Sequence, residues 1–128
     1  MIDKCGVQDP LSRQVIGAAI EVHRTLGPGL LESVYEECLC YEMTALGLSF
    51  QRQIALPVKY KQVNLDGGLR LDVVVEGVLI VELKSIEALA PIHDAQLLTY
   101  LKLSGLHRGL LLNFNVVRLK DGIKRLVL

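Results

Sequence analysis

LDVVVEGVLIVELKS, residues 71–85, is two runs of β-branched and aliphatic residues separated by Glu76-Gly77. Both runs are apolar on both faces, which predicts two central, covered strands over 70–75 and 79–85 joined by a tight turn. Asp72, Glu82 and Lys84 interrupt that pattern. A charge set into a covered strand is costly unless something pairs or coordinates it, so these three residues ask for a partner.

Side chains alternate across a strand, so Glu82 and Lys84 share a face with Ile80, while Val81 and Leu83 face the other way. The position of Asp72 depends on the turn. A two-residue loop pairs Val75 with Val78 and sends Asp72 to the opposite face from Glu82. A three-residue loop, Glu76-Gly77-Val78, pairs Val75 with Leu79 and sets Asp72 across from Glu82; such loops commonly hold a residue in the left-handed region. In that second register the two β-carbons stand roughly 5 Å apart, close enough for both carboxylates to share one hard cation such as Mg²⁺ or Mn²⁺. Lys84, one pleat along, is then placed to hold a water or to stabilise charge on a phosphoryl transition state. The competing account is a structural ion pair in which Lys84 neutralises one carboxylate, and residue pattern alone leaves the two even.

Outward from this hairpin, DPLSRQVIGAAIEVHRTLG reads as a first helix with Val15, Ala19, Val22 and Leu26 on one stripe and Gly27-Pro28 as its stop. A second helix begins near Leu30 or Leu31, with Leu31, Val34, Tyr35, Cys38, Ala45 and Leu46 inward and Gly47 ending it. QRQIALPVKY reads as one extended segment whose proline suggests an edge or a bulge, and NLDGG as a turn. APIHDAQLLTYLKLSG is a helix opened by Pro91 and closed by Gly105; RGLLLNFN is a buried strand, and the tail adds a short strand or loop. The order helix, helix, three strands, helix, two strands predicts one α/β sandwich domain over residues 1–128, with a mixed central sheet covered by helices on both faces.

Composition narrows the function classes. Of 128 residues 51% are hydrophobic and 22% charged, which is globular, and no run reaches the roughly 18 apolar residues of a membrane span. The opening MIDKCGVQDP lacks a secretory pattern, so the expected location is cytoplasmic. Three cysteines, Cys5, Cys38 and Cys40, read as reduced structural thiols. Lys+Arg and Asp+Glu both number 14, so no overall positive field marks a nucleic-acid binder, and the basic tail VRLKDGIKRLVL is explained equally by a solvated strand. His23 and His93 have no ligand spacing to one another. There is no Gly-rich phosphate loop and no Ser/His/Asp arrangement.

An Asp on one strand, Glu-x-Lys ten residues later on the next, and a following helix with Gln and Tyr four residues apart is similar to the PD-(D/E)XK nuclease superfamily, particularly its RecB-like and lambda-exonuclease-like branches. Here the pattern is Asp72, Glu82-Leu83-Lys84, Gln96 and Tyr100. GLLESVY, Gly29 to Tyr35, resembles the signature of the GxxExxY family within that superfamily, and IEVHRTLGPG, PVKY, PIHDAQLLTYLKLSG and LLLNFNVVRLKDGIKR extend the likeness over nearly the whole chain.

The resemblance implies a restriction-endonuclease-like fold with its site at the forked edge of the sheet. It implies Asp72, Glu82 and the Leu83 carbonyl as ligands of Mg²⁺ or Mn²⁺, with Lys84 orienting the water. Gln96 and Tyr100, one helical turn apart, reach back to the metal or phosphate; for Tyr100, core packing with a hydroxyl contact is an equal account. Glu32 supplies the acid that related nucleases carry on an early helix, against the plainer account of a first-turn acid facing the helix dipole, and Tyr35 buttresses it. Glu42 falls on the apolar side and needs a base such as Arg52. The implied activity is hydrolysis of nucleic-acid phosphodiesters, DNA ahead of RNA, by metal-activated water, with a homodimer or partner protein extending so small a recognition surface. The alternatives are an inactive nuclease-fold module for binding or assembly, and a metal-dependent hydrolase of another phosphorylated substrate.

Overall fold

The computed structural model describes residues 9–65 and 67–128. The stretch MIDKCGVQ with Cys5, and Asp66 of the NLDGG turn, lie outside the described residues. The chain runs through α1 (Pro10–Leu26), α2 (Glu32–Ala45), β1 (Phe50–Ala55), β2 (Val58–Tyr60), β3 (Val63–Leu65), β4 (Arg70–Val75), β5 (Leu79–Lys84), α3 (Pro91–Ser104), β6 (Arg108–Asn113), a 3-10 turn (Leu119–Gly122) and β7 (Ile123–Val127). The main sheet has the order β1-β4-β5-β6-β7; only β5 and β6 pair in parallel, connected through α3. α1 and α2 cover one face, where Val15, Ala19, Val22, Tyr35, Leu39 and Met43 pack on Val73, Val75, Val81 and Leu83. α3 covers the other, with Leu97, Tyr100 and Leu101 on Val74, Ile80 and Leu111. This is the mixed, doubly covered sheet expected from the hairpin of 71–85.

Local chemistry accounts for most boundaries. Asp9 caps α1, its Oδ1 accepting from the N–H groups of Leu11 and Ser12 at 3.1 and 3.2 Å, and Gly27 ends the helix at φ 72°. The proline expected at an edge, Pro57, falls just after β1, which is the sheet's edge strand.

Two expectations are corrected. QRQIALPVKY is not one strand: Leu56-Pro57 breaks it, and the second half pairs with Val63–Leu65 as a separate two-stranded sheet. The inward face of α2 is also rotated from the predicted one, with Tyr35, Glu36, Leu39, Cys40 and Met43 buried, and Leu31, Val34, Ala45 and Leu46 exposed. Apolar residues occur all round this helix, so its period left the phase open, and docking against α1 and the sheet chose it. Cys38 and Cys40 are free, and burial pushes the Cys40 thiol up to about 11, as suits a packing residue. No helix among the described residues is long and apolar enough to cross a membrane.

Where the connection from β6 enters β7, the backbone of Gly122 lies close against that of Asn113: a β-carbon there would lie 2.2 Å from the carbonyl oxygen of Asn113. Because the obstacle is backbone, Gly122→Ala is expected to destabilise the fold by about 1–3 kcal/mol, read as a lower urea midpoint at unchanged slope.

Candidate active site

The turn between β4 and β5 holds three residues. Val75 pairs with Leu79, Glu76 and Gly77 adopt φ 54° and 69°, and the Glu76 carboxylate anchors the turn by accepting from the Ser49 N–H at 2.6 Å. This is the odd register that sets Asp72 across from Glu82. The backbone pairing ends at Val73–Val81, and beyond it the strands part. Their hydrogen bonds pass to side chains: the Asp72 N–H donates to Glu82 Oε2 at 2.9 Å, and the Leu83 N–H donates to Asp72 Oδ2 at 2.9 Å. The two carboxylates thus supply acceptors where the regular ladder fails.

The edge strand is irregular at the same level. Gln53, the residue of β1 between the pairs Arg52–Val73 and Ile54–Leu71, has φ 49°, uncommon for a residue with a side chain. On β4, Leu71 and Val74 both join the α3-side cluster while Val73 joins the other, so strict alternation breaks at Asp72.

Burial makes this pair electrostatically expensive. Glu82 is 4% exposed. Burial first, and the Asp72 charge second, push its carboxyl up to about 8; the Asp72 N–H and Lys84 pull the other way. Asp72 is also raised, chiefly by burial and then by the charges of Glu36 and Glu32, against the Leu83 N–H and Lys84. Two close acids that cannot both ionise cheaply suit a cation. The donors fit one: Mg²⁺ is commonly held by one or two carboxylates with water completing its shell. The Leu83 carbonyl opens toward the same fork as its N–H, because both backbone groups of a strand residue point to one side. Among the described residues no group of three or more His, Cys, Asp or Glu side chains is arranged around a metal position, so a cation here would rest on two carboxylates and a backbone oxygen.

The other residues singled out from the sequence converge from three elements. Lys84 Nζ donates to Gln96 Oε1 on α3 at 3.3 Å. Tyr100, one turn later, is buried, and its hydroxyl is raised by burial and then by the charges of Glu82 and Asp72. Glu32, at the start of α2, shares a cavity of about 500 Å³ with Ser33, Glu36, Arg52, Gln53, Asp72 and Leu83, and its Oε2 accepts from the Ser85 N–H at 3.2 Å. Tyr35 holds the preceding turn, its hydroxyl donating to the Gly27 carbonyl at 2.6 Å and accepting from the Leu30 N–H at 3.1 Å while its ring stacks on Phe114 at 4.4 Å. The spacing Gly29, Glu32, Tyr35 therefore has a physical reason: tyrosine clamps the turn that delivers the glutamate.

Other residues lie elsewhere. His23 Nε2 is 2.7 Å from the Val116 carbonyl, a satisfied packing histidine, and His93 Nδ1 accepts from the Ala90 N–H at the start of α3. Glu21 and Arg24 form an exposed ion pair. Glu42 does not meet Arg52. That guanidinium reaches Glu36 at 2.9 Å and Glu37 at 2.7 Å. Glu36 was not foreseen, although it follows Glu32 by one helical turn on the same side; buried, and held also by Gln53 Nε2 at 2.7 Å, it is the α2 carboxylate whose charge weighs most on Asp72. Asn113 is likewise unforeseen: it exchanges hydrogen bonds with both backbone groups of Ile86, at 3.1 Å each, and ties the segment after β5 to that after β6.

A buried carboxyl raised to about 8 makes the metal-free fold sensitive to pH. Below the ordinary glutamate value of 4.5, Glu82 is protonated in folded and unfolded chains alike; between there and about 8 the unfolded chain gives up a proton that the folded one keeps, so stability falls as pH rises. Glu82→Gln keeps an oxygen for the Asp72 N–H and has no such cost. In EDTA its melting temperature is expected to exceed that of the parent chain at pH 9, with the gain shrinking toward pH 4; a gain independent of pH would refute the burial argument.

No curated protein and no solved structure matches this chain. A family model does, over residues 9–126, which include every element from α1 to the penultimate residue of β7. With the forked strands, the Asp and Glu-x-Lys upon them and the Gln/Tyr helix behind, the chain belongs to the PD-(D/E)XK nuclease superfamily.

Proposed function

We propose that the protein hydrolyses phosphodiester bonds of nucleic acid, DNA ahead of RNA, and that it does so with Mg²⁺ or Mn²⁺ held by Asp72, Glu82 and the Leu83 carbonyl. The observation that carries this reading is the fork itself, where a buried and a half-buried carboxylate accept from strand N–H groups beside a lysine. A bound divalent cation would relieve the repulsion of the acids, neutralise phosphate charge and lower the pKa of a water at neutral pH. The chain's own residues supply the rest. Lys84 aims its ammonium at the reacting water or at the phosphate oxygens, and Gln96 restrains it. Glu32 fixes the segment after Lys84 through the Ser85 N–H, and the Ser85 hydroxyl donates to the Leu30 carbonyl at 2.6 Å, so helix turn and strand end move as one. Within the superfamily, the Tyr35 clamp and the delivery of Glu32 support membership of the GxxExxY branch.

The test is cleavage of plasmid, single-stranded DNA and RNA with Mg²⁺ or Mn²⁺ and with EDTA. Asp72→Ala and Lys84→Ala are each expected to slow cleavage about 100-fold or more while remaining folded. Equal residual activity in all three proteins would mark it as contamination, and inactivity throughout with intact nucleic-acid binding would favour a nuclease-fold binding module.

A further inference from the structure

The short hairpin β2–β3 has no part in the main sheet. It leaves the sheet where Ala55 pairs with Arg70, two residues before Asp72, and so projects from the end that carries the fork. Its pairs are Val58–Leu65, Lys59–Asn64 and Tyr60–Val63. By strand alternation Val58, Tyr60, Val63 and Leu65 share one face, and Lys59 and Asn64 the other. The apolar face is uncovered: Tyr60, Val63 and Leu65 are 60%, 53% and 46% exposed. A two-stranded hairpin is marginal in water by itself, so an arm that also displays its apolar side is built to meet something.

Charge and position say what. Residues 56–70 carry Lys59, Lys61 and Arg70 against Asp66, a local excess of positive charge in a chain that is neutral as a whole. Lys61 lies at the tip, its Nζ 5.3 Å from the Tyr60 ring centroid. Arg70 lies at the root, donating to the Gln53 carbonyl at 2.9 Å, and Gln53 lines the cavity that Asp72 also lines. An aromatic ring among aliphatic side chains, with Lys61 beside it and Arg70 at the root touching the cavity wall through Gln53, matches a polyanion with apolar faces of its own. Single-stranded nucleic acid has both, whereas a duplex keeps its base faces stacked away. Resting on the nuclease reading above, we propose that the β2–β3 arm grips the unpaired strand of the substrate, stacking a base on Tyr60 and holding phosphate at Lys61, and so leads the strand into the fork.

Binding can be read apart from cleavage, with the full chain in EDTA and fluorescein-labelled oligo(dT) of about 15 nucleotides, by anisotropy. Tyr60→Ala is expected to weaken binding roughly 10-fold, and Tyr60→Phe to stay within about 2-fold, because the ring rather than the hydroxyl makes the stack. Lys61→Glu is expected to lower the salt slope of log K by about 0.7 for each phosphate no longer neutralised. Duplex DNA of equal length should bind more weakly and be insensitive to Tyr60→Ala. Melting curves matching the parent chain show that the variants are folded. The inference is overturned if Tyr60→Ala binds as the parent chain does, or if the parent chain binds no oligonucleotide. It is equally overturned if light scattering finds a dimer that Val63→Asp dissolves without changing oligonucleotide affinity, which would give the face to a second copy. Loss of metal-dependent cleavage with arm-dependent binding intact would instead remove the nuclease reading and leave the arm its strand.

Discussion

The constraint on which the rest depends is the exchange at the fork, where Asp72 and Glu82 accept from the backbone of the opposite strand. Where the ladders on either side of β4 break, N–H groups are left without ladder partners, each a real cost if buried unpaired. The carboxylates satisfy two of them and in doing so are drawn into the sheet, where they crowd each other. One geometric solution thus meets the backbone's need for acceptors and brings two acids together where both cannot ionise cheaply. The lysine beside them offsets only part of that cost, since Glu82 still sits near 8.

The surrounding elements hold this arrangement rigid. On one side Tyr35, stacked on Phe114, clamps the turn before α2, and Glu32 and Ser85 join that turn to the end of β5. On the other, Asn113 grips Ile86, and Asn115 Nδ2 adds a bond to the Ile86 carbonyl at 3.3 Å, so the segments beyond β5 and β6 form one unit. Side chains carried by strands and helices keep tighter geometry than those on free loops.

Four acids around the fork and the neighbouring turn of α2 fall into two kinds. Glu36 and Glu37 share the Arg52 guanidinium, and Glu36 is bound further by Gln53, which explains how a carboxylate can sit buried on a helix. Asp72 and Glu82 receive backbone N–H groups but no cationic side chain among the described residues within ion-pair distance. The first kind braces the wall, and the second stands at the fork with no counter-ion of its own among the described residues.

Much of this was legible in the amino-acid order. The apolar runs on either side of Glu76-Gly77 determined two covered strands, the caps and stops of α1 and α3 determined their limits, and the strand period put Glu82 and Lys84 on one face. What the order left open were choices between near-equal local alternatives. The loop at Gly77 was compatible with two or three residues, and the anchoring of Glu76 on Ser49 with the pairing of Val75 and Leu79 decided it. The phase of α2 was undetermined because apolar side chains surround that helix. Arg52 had several acids within reach along the chain and met Glu36 and Glu37 because β1 passes beside that turn of α2. The β2–β3 arm escaped notice because its strands are three residues each, too short for a period to show. Sequence periodicity reports which residues prefer burial; register, helix phase and the partners of long charged side chains depend on contacts between distant segments, and only the tertiary structure brings those together.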